Sequence, residues 1–212
     1  MDRGDIRIND KRYKMRSSYK DKNYGAVLSS LVIGKRPENC VELGVLDGYS
    51  TIHIASALRF NQRAFGIDGR LYCWDLFDDY EYKHGNKEDV QKLLNVHQVT
   101  PIVTLTKGDA FKVAEQIQDN SIDFLHVDIS NDGEILKKVM TIWNPKMKPF
   151  GIIAFEGGSE ERDNVEWMIK YNKMPIRFVL KHNETIKSDF NVFVMKPFPS
   201  MTILQKKGLF SL

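Results

Sequence analysis

Short apolar runs alternate with amphipathic helical patterns along most of this chain, and that alternation restricts the fold more than any other feature. Val27, Leu28, Leu31 and Val32 recur at helical spacing within 24–34. The run "CVEL" follows, then a glycine-bearing turn and a helix expected over 49–59. "RAFGID" reads as the second strand, ending at Asp68. "NKEDVQKLLNVHQV" reads as a helix that Asn86 caps, with Asp89 three residues on. "PIVTLTKGD", "SIDFLHVD" and "FGIIAF" read as three further strands, trailed by helices in "AFKVAEQIQ", "DGEILKKVMTIW" and "SEERDNVEWMIKYN". In the second of these, Ile135, Leu136, Val139, Met140 and Trp143 share one stripe. "IRFVLKH" and "FNVFVMK" read as two strands with only "NETIKSD" between them, hence as a hairpin.

Strand–helix units in series imply right-handed crossovers and a parallel sheet covered on both faces. The continuous apolar run "FGIIAF" suits a strand buried on both sides. The hairpin forces one strand to reverse. The expected fold is therefore α/β, a Rossmann-like doubly wound seven-stranded sheet, mostly parallel, with one antiparallel strand in a C-terminal hairpin. A basic segment (1–23), a folded domain (24–196) and a tail (197–212) complete the expected organisation. The tail keeps Ile203, Leu204, Leu209 and Phe210, which leaves a homodimer contact open.

Ligands of such sheets bind beyond the carboxyl ends of the strands. The first turn reads "VELGVLDGYS", an E-x-G-x-x-x-G-x-S pattern from Glu42 to Ser50. Gly44 permits a tight turn, and Gly48 permits close approach at a helix N-terminus. The central glycine of G-x-G-x-x-G, which makes room for a pyrophosphate, is missing. The carboxylate of Glu42 suits a ligand that bears an amino group. Asp68 follows Gly48 at the offset from which an acid accepts from a ribose diol. Arg70 beside it keeps a nicotinamide dinucleotide open as an alternative. Asp109 in "KGDAF" is placed either to accept from an adenine amine or to cap a helix. His126, inside an apolar strand, reads as structural, and His53 and His97 as structural or exposed.

The order of elements, the E-x-G-x-x-x-G-x-S turn and the acids Asp68 and Asp109 resemble the class I S-adenosylmethionine-dependent methyltransferases. The resemblance covers about residues 24–196 and is nearest to small-molecule O-methyltransferase-like members, which have counterparts of "IDFLHVD" and "PFGIIAF". It implies that Glu42 and the loop Gly44, Gly48, Tyr49 and Ser50 hold the methionine part of S-adenosylmethionine. Asp68 would take the ribose, and Asp109 with Ala110 would frame the adenine. The catalytic candidates are Asp128 in "HVDISND" and Glu156 in "FEGG". Metal-dependent relatives carry an Asp and then an Asp-Asn pair at these strand ends, ligands suited to magnesium. This chain keeps Asp128 but has Glu156-Gly157 for the pair, and Asn131 where other relatives carry a histidine. A magnesium ion on Asp128, Glu156 and Asn131 or Asp132 is one option, and direct base catalysis the other. The aromatic segment 69–85 is expected to wall the adenine and substrate, or to pack as a helix or subunit contact.

The expected function is O-methylation of a small hydroxylated acceptor. Methylation of RNA or protein, and a catalytically silent S-adenosylmethionine-binding module, remain the alternatives. With 42% hydrophobic and 28% charged residues the chain is of ordinary globular composition. No apolar run reaches the roughly 20 residues of a membrane span, and no secretion signal is expected at the N-terminus. Cys40 and Cys73 have no metal or redox spacing and suit a reducing compartment, so the cytoplasm is expected. Net charge is +3. Arg3, Arg7, Lys11, Arg12, Lys14, Arg16, Lys20 and Lys22 crowd the N-terminus, which keeps nucleic acid open, but the interleaved Asp2, Asp5, Asp10 and Asp21 favour a solvated segment.

Overall fold

The structure, a computed structural model, describes residues 5–8, 11–82 and 84–208, with side chains from Met15 onward. Asp2, Arg3, Asp10, Leu209 and Phe210, all in segments read above, lie outside the described residues. The chain forms two compact units, residues 1–110 and 111–212. The first contains β1 (Asp5–Ile8), β2 (Lys11–Lys14), α1 (Tyr24–Lys35), β3 (Asn39–Leu43), α2 (Tyr49–Phe65), β4 (Arg70–Asp75), α3 (Lys87–Val96) and β5 (Val103–Lys107). The second contains β6 (Ile122–Val127), α4 (Gly133–Ile142), β7 (Met147–Glu156), α5 (Glu160–Asp163), α6 (Glu166–Lys170), α7 (Ile176–His182), α8 (Glu184–Asp189), β8 (Phe190–Met195) and β9 (Met201–Lys206).

Seven strands make one sheet, the Rossmann-like sheet expected, in the order β5-β4-β3-β6-β7-β9-β8. β3 pairs in parallel with β4, β4 with β5, and β6 with β7. β9 is the reversed strand, antiparallel to both β7 and β8. β1 and β2 form a separate hairpin, with Asp5 opposite Lys14. Every residue of β6 is buried, as its apolar run requires. Along α4 the stripe Leu136, Val139, Met140 and Trp143 is buried, while Ile135 is half-buried. Among the described residues no helix is long and apolar enough to cross a membrane.

Two strands lie elsewhere than the sequence pattern placed them. α2 continues to Phe65 through "FNQRAF", because Asn61 is fully buried and donates Nδ2 to the Val32 carbonyl at 2.9 Å. Gly66, at φ +71°, then takes the left-handed position that ends the helix. The second strand is therefore Arg70–Asp75, in which Leu71 and Cys73 are buried while Tyr72 is exposed, a period of two. "IRFVLKH" is α7 and not a strand: Ile176 and Val179 bury one face at helical spacing behind Pro175. The C-terminal hairpin instead joins β8 to β9, so the segment read as a tail supplies the strand that pairs with β7. "AFKVAEQIQ" yields only a turn of 3-10 helix at Val113–Gln116, and "SEERDNVEWMIKYN" splits into α5 and α6.

Candidate active site

In the first unit, successive strand ends are stitched into a rim. The Gly44 amide donates to the Trp74 carbonyl at 2.9 Å, and the Gly108 amide to the Asp75 carbonyl at 2.9 Å. Asp75, the last residue of β4, holds the glycine turn with its carboxylate: Oδ2 accepts from Val45 N at 2.6 Å and Leu46 N at 3.0 Å. Its Oδ1 accepts from Phe77 N at 2.7 Å. Gly48 caps α2 at φ +81°, where a Cβ would press within 3.1 Å of Val90. Asp109 and Ala110 follow β5 directly, half-buried and buried respectively.

Asp68 does not belong to this rim. It precedes β4, its side chain is 59% exposed, and it pairs with Arg70 at 2.9 Å and Gln62 at 3.0 Å. The acid at the carboxyl end of the second strand is Asp75. The alternation Leu71, Cys73 and the glycines at 66 and 69 were the signal in the sequence, whereas "RAFGID" carries a glycine in its middle.

Glu42 is fully buried. Its Oε2 accepts from Thr51 Oγ1 at 2.5 Å and from Cys73 Sγ at 3.5 Å, so it ties β3 to α2 and β4. Burial first, and then the adjacent Glu42 carboxylate, push the Cys73 thiol well above its ordinary value, which keeps it an unreactive thiol. Ser50 is buried, and the Tyr49 ring packs on His53 at 4.7 Å between centroids. Arg16 clamps the same turn from the N-terminal segment. Its amide and Nε donate to Asp47 Oδ2 at 2.8 and 2.7 Å, and Nη2 reaches Oδ1 at 2.7 Å. Nothing in the sequence singled Arg16 out from its basic neighbours.

A polar cavity of about 490 Å³ adjoins the turn at Asp47 and is also lined by Arg16, Asp78, His84, Lys107 and residues 85–89 at the start of α3. Its charges are largely paired: Lys107 bridges Asp78 at 2.7 Å and Asp79 at 2.8 Å. Asn86 Oδ1 caps α3 by accepting from Asp89 N at 3.0 Å, as the sequence indicated. The segment 69–85 is not one long loop, since its first half is β4. The end of its second half is pinned, because a side chain at Gly85 would collide with the Leu46 carbonyl.

In the second unit Asp128 follows β6 and is half-buried, and Glu156 ends β7 at 3% exposure. The Asn131 amide nitrogen donates to Glu156 Oε2. Asp132 is the N-cap of α4: its Oδ1 accepts from Glu134 N at 3.0 Å and Ile135 N at 3.1 Å, and its Oδ2 from Ser130 Oγ at 3.0 Å. These groups do not fit a divalent cation. Asn131 turns a donor, not its carbonyl oxygen, toward the carboxylate, and Asp132 is committed to its helix. No group of three or more metal-ligating acids, histidines or cysteines exists among the described residues. His126 is fully buried within β6, a structural position.

A family model described as a methyltransferase domain matches residues 41–156, more than half of the chain. No curated protein matches the chain. A methyltransferase from Geobacter sulfurreducens is 18% identical with TM-score 0.61, over 90% of this chain and 84% of that one. The O-methyltransferase TomG of Streptomyces achromogenes, involved in tomaymycin synthesis and solved with S-adenosylmethionine, is 16% identical with TM-score 0.62, over 92% and 83%. An O-methyltransferase from Bacillus cereus, solved with S-adenosylhomocysteine, is 16% identical with TM-score 0.63, over 91% and 84%. At such identities these structures speak for the fold, which is the fold derived above. With the family match and the strand order together, the chain belongs to the methyltransferase domain family of class I S-adenosylmethionine-dependent methyltransferases.

Proposed function

We propose that the enzyme methylates a hydroxyl oxygen of a small molecule. The observation that carries the reading is the rim of the first unit, where Asp75 locks the glycine turn and presents an acid at the end of the second strand. Glu42 and the turn from Gly44 through Gly48, Tyr49 and Ser50 then hold the methionine part. Asp75 takes the ribose diol in place of Asp68. A carboxylate has about four acceptor sites, and three amides occupy fewer than that. Asp109 and Ala110 border the adenine.

S-adenosylmethionine supplies a methyl group already activated on a sulfonium. The protein's own work is alignment of the acceptor and removal of its proton. Asp128, half-buried just beyond β6, receives the hydroxyl proton, while Glu156, held by Asn131, orients the acceptor. No metal-assisted step is derived, because the residues do not suit a cation. The naming of two structural neighbours as O-methyltransferases supports oxygen over nitrogen as the nucleophile. Cys40 and Cys73, both buried and not joined in a disulfide, agree with a cytoplasmic setting.

The test is a methyl-release assay against phenols, catechols, aliphatic alcohols and amines, with and without EDTA. Transfer to a hydroxyl that EDTA leaves unchanged is expected. Asp128→Asn should lower kcat by about 100-fold or more, the usual scale for losing a positioned base. Transfer confined to amines or to RNA, or activity abolished by EDTA and restored by magnesium, contradicts the reading.

A further inference from the structure

Arg162 in α5 carries a charge for which the described residues of the second unit supply no counter-ion. The residue is 7% exposed, and its Nε has no hydrogen-bond partner. Among the described residues no carboxylate forms an ion pair with its guanidinium. The neighbouring acids are committed elsewhere: Arg177 takes Asp163 at 2.9 Å and Glu160 at 3.3 Å. What the guanidinium does have is the Trp167 ring, 5.3 Å from its central carbon. A cation–π contact offsets only part of the cost of burying an unpaired ion.

The position of this charge gives it a use. A Cβ built on Gly157 would lie 3.5 Å from Arg162 Cγ and 3.8 Å from Asn131 Cβ, so Arg162 and Asn131 flank the same glycine. Gly157 directly follows Glu156, the residue that Asn131 holds. The aliphatic stem of Arg162 therefore passes the glycine that follows the pair assigned above to the acceptor, and its guanidinium lies over Trp167. A planar guanidinium is suited to clasping a carboxylate or phosphate through two parallel N–H donors.

We propose that Arg162 is the anion subsite of the methyl acceptor, so that the acceptor carries a carboxylate or phosphate group in addition to the hydroxyl that is methylated. This rests on the methyltransferase reading of Asn131 and Glu156. The anion supplies the counter-charge that the described residues do not, and Trp167 holds the guanidinium plane in place for it.

Thermal shift and calorimetry on the full chain test it, with inorganic phosphate and acetate as probes and chloride at matched ionic strength as control. An anion at about 100 times its Kd should raise the wild-type Tm by on the order of 5 °C. Arg162→Met should melt at or above the wild-type temperature, because it removes an uncompensated buried charge, and should show no anion shift. Arg162→Lys, which keeps the charge but not the fork, should respond weakly. The stronger probe tells whether the acceptor's anion is a carboxylate or a phosphate. Failure of both anions to shift the wild type, an anion shift that survives in Arg162→Met, or an Arg162→Met chain melting several degrees lower each overturns the assignment. A parallel titration with S-adenosylmethionine keeps the two readings apart. If the wild type does not bind it, the donor reading falls, whereas the anion result alone decides Arg162.

Discussion

Asp75 collects four amides around one residue: Val45, Leu46 and Phe77 on its carboxylate and Gly108 on its carbonyl. Glu42 performs the complementary task on the other side of the turn, where Thr51 donates to it from the first turn of α2. Thr51→Val preserves shape but leaves a buried carboxylate short of a partner. It should cost about 1–3 kcal/mol, read as a Tm lowered by about 2–4 °C per kcal/mol in a chain of this length. An unchanged Tm would mean that Glu42 does not depend on Thr51. The principle that acids gather at strand ends was legible in the sequence for Glu42 and Asp109. The acid of the second strand was not, because "RAFGID" imitates a strand while its residues close a long helix. Arg162 gave no sign either, since a missing counter-ion is a property of packing and not of spacing.

At the level of elements, α1 and α2 meet through His53. Its ring fills the space left by the absent side chain of Gly25, and its Nδ1 lies 3.4 Å from Ser29 Oγ. Burial first, and then His97, hold His53 below the ordinary histidine value; burial first, and then Arg59, do the same for His97. Both bind protons more readily in the unfolded chain. As pH falls through about 6.5, the usual histidine value, the unfolded state takes up protons before the native state does. Stability therefore declines with falling pH and levels off only below the native values. The Tm of the wild type should drop between pH 7.5 and 5.5, and the combined change His53→Gln and His97→Gln should shrink that drop. A drop of the same size in both proteins would contradict the assignment. The cap Asn86 could be read from sequence because capping is local chemistry, whereas Asp132, weighed there as a metal ligand, proves to cap α4. α7 could not, since a seven-residue run of mixed apolar and basic residues fits either period until its neighbours decide which face is covered.

For the whole molecule, the mostly parallel, doubly wound sheet follows from the alternation of elements, but the boundary of the folded chain does not. β9 pairs with β7 from Ile152 to Glu156 and with β8 along its length, and Met201, Thr202 and Leu204 are fully buried. A chain ending at Lys196 strips β7 of that partner and exposes an apolar edge. It should be insoluble or lack a cooperative melting transition, whereas a soluble product with the wild-type Tm would restore 197–212 to the status of a tail. The segment was misread because "MTILQK" is brief and follows two prolines, Pro197 and Pro199, so that its pairing rests on long-range contact alone.

The rim of the first unit is tested most directly by calorimetric titration of S-adenosylmethionine into the wild type, Asp75→Asn and Asp68→Asn, with Tm recorded for each. Loss of a charge-assisted hydrogen bond is worth about 1.5–3 kcal/mol, so Asp75→Asn should bind at least about tenfold more weakly, and Asp68→Asn should bind as the wild type does. Wild-type affinity in a folded Asp75→Asn, or affinity lost in Asp68→Asn instead, would contradict the assignment of the second-strand acid and with it the site built around it.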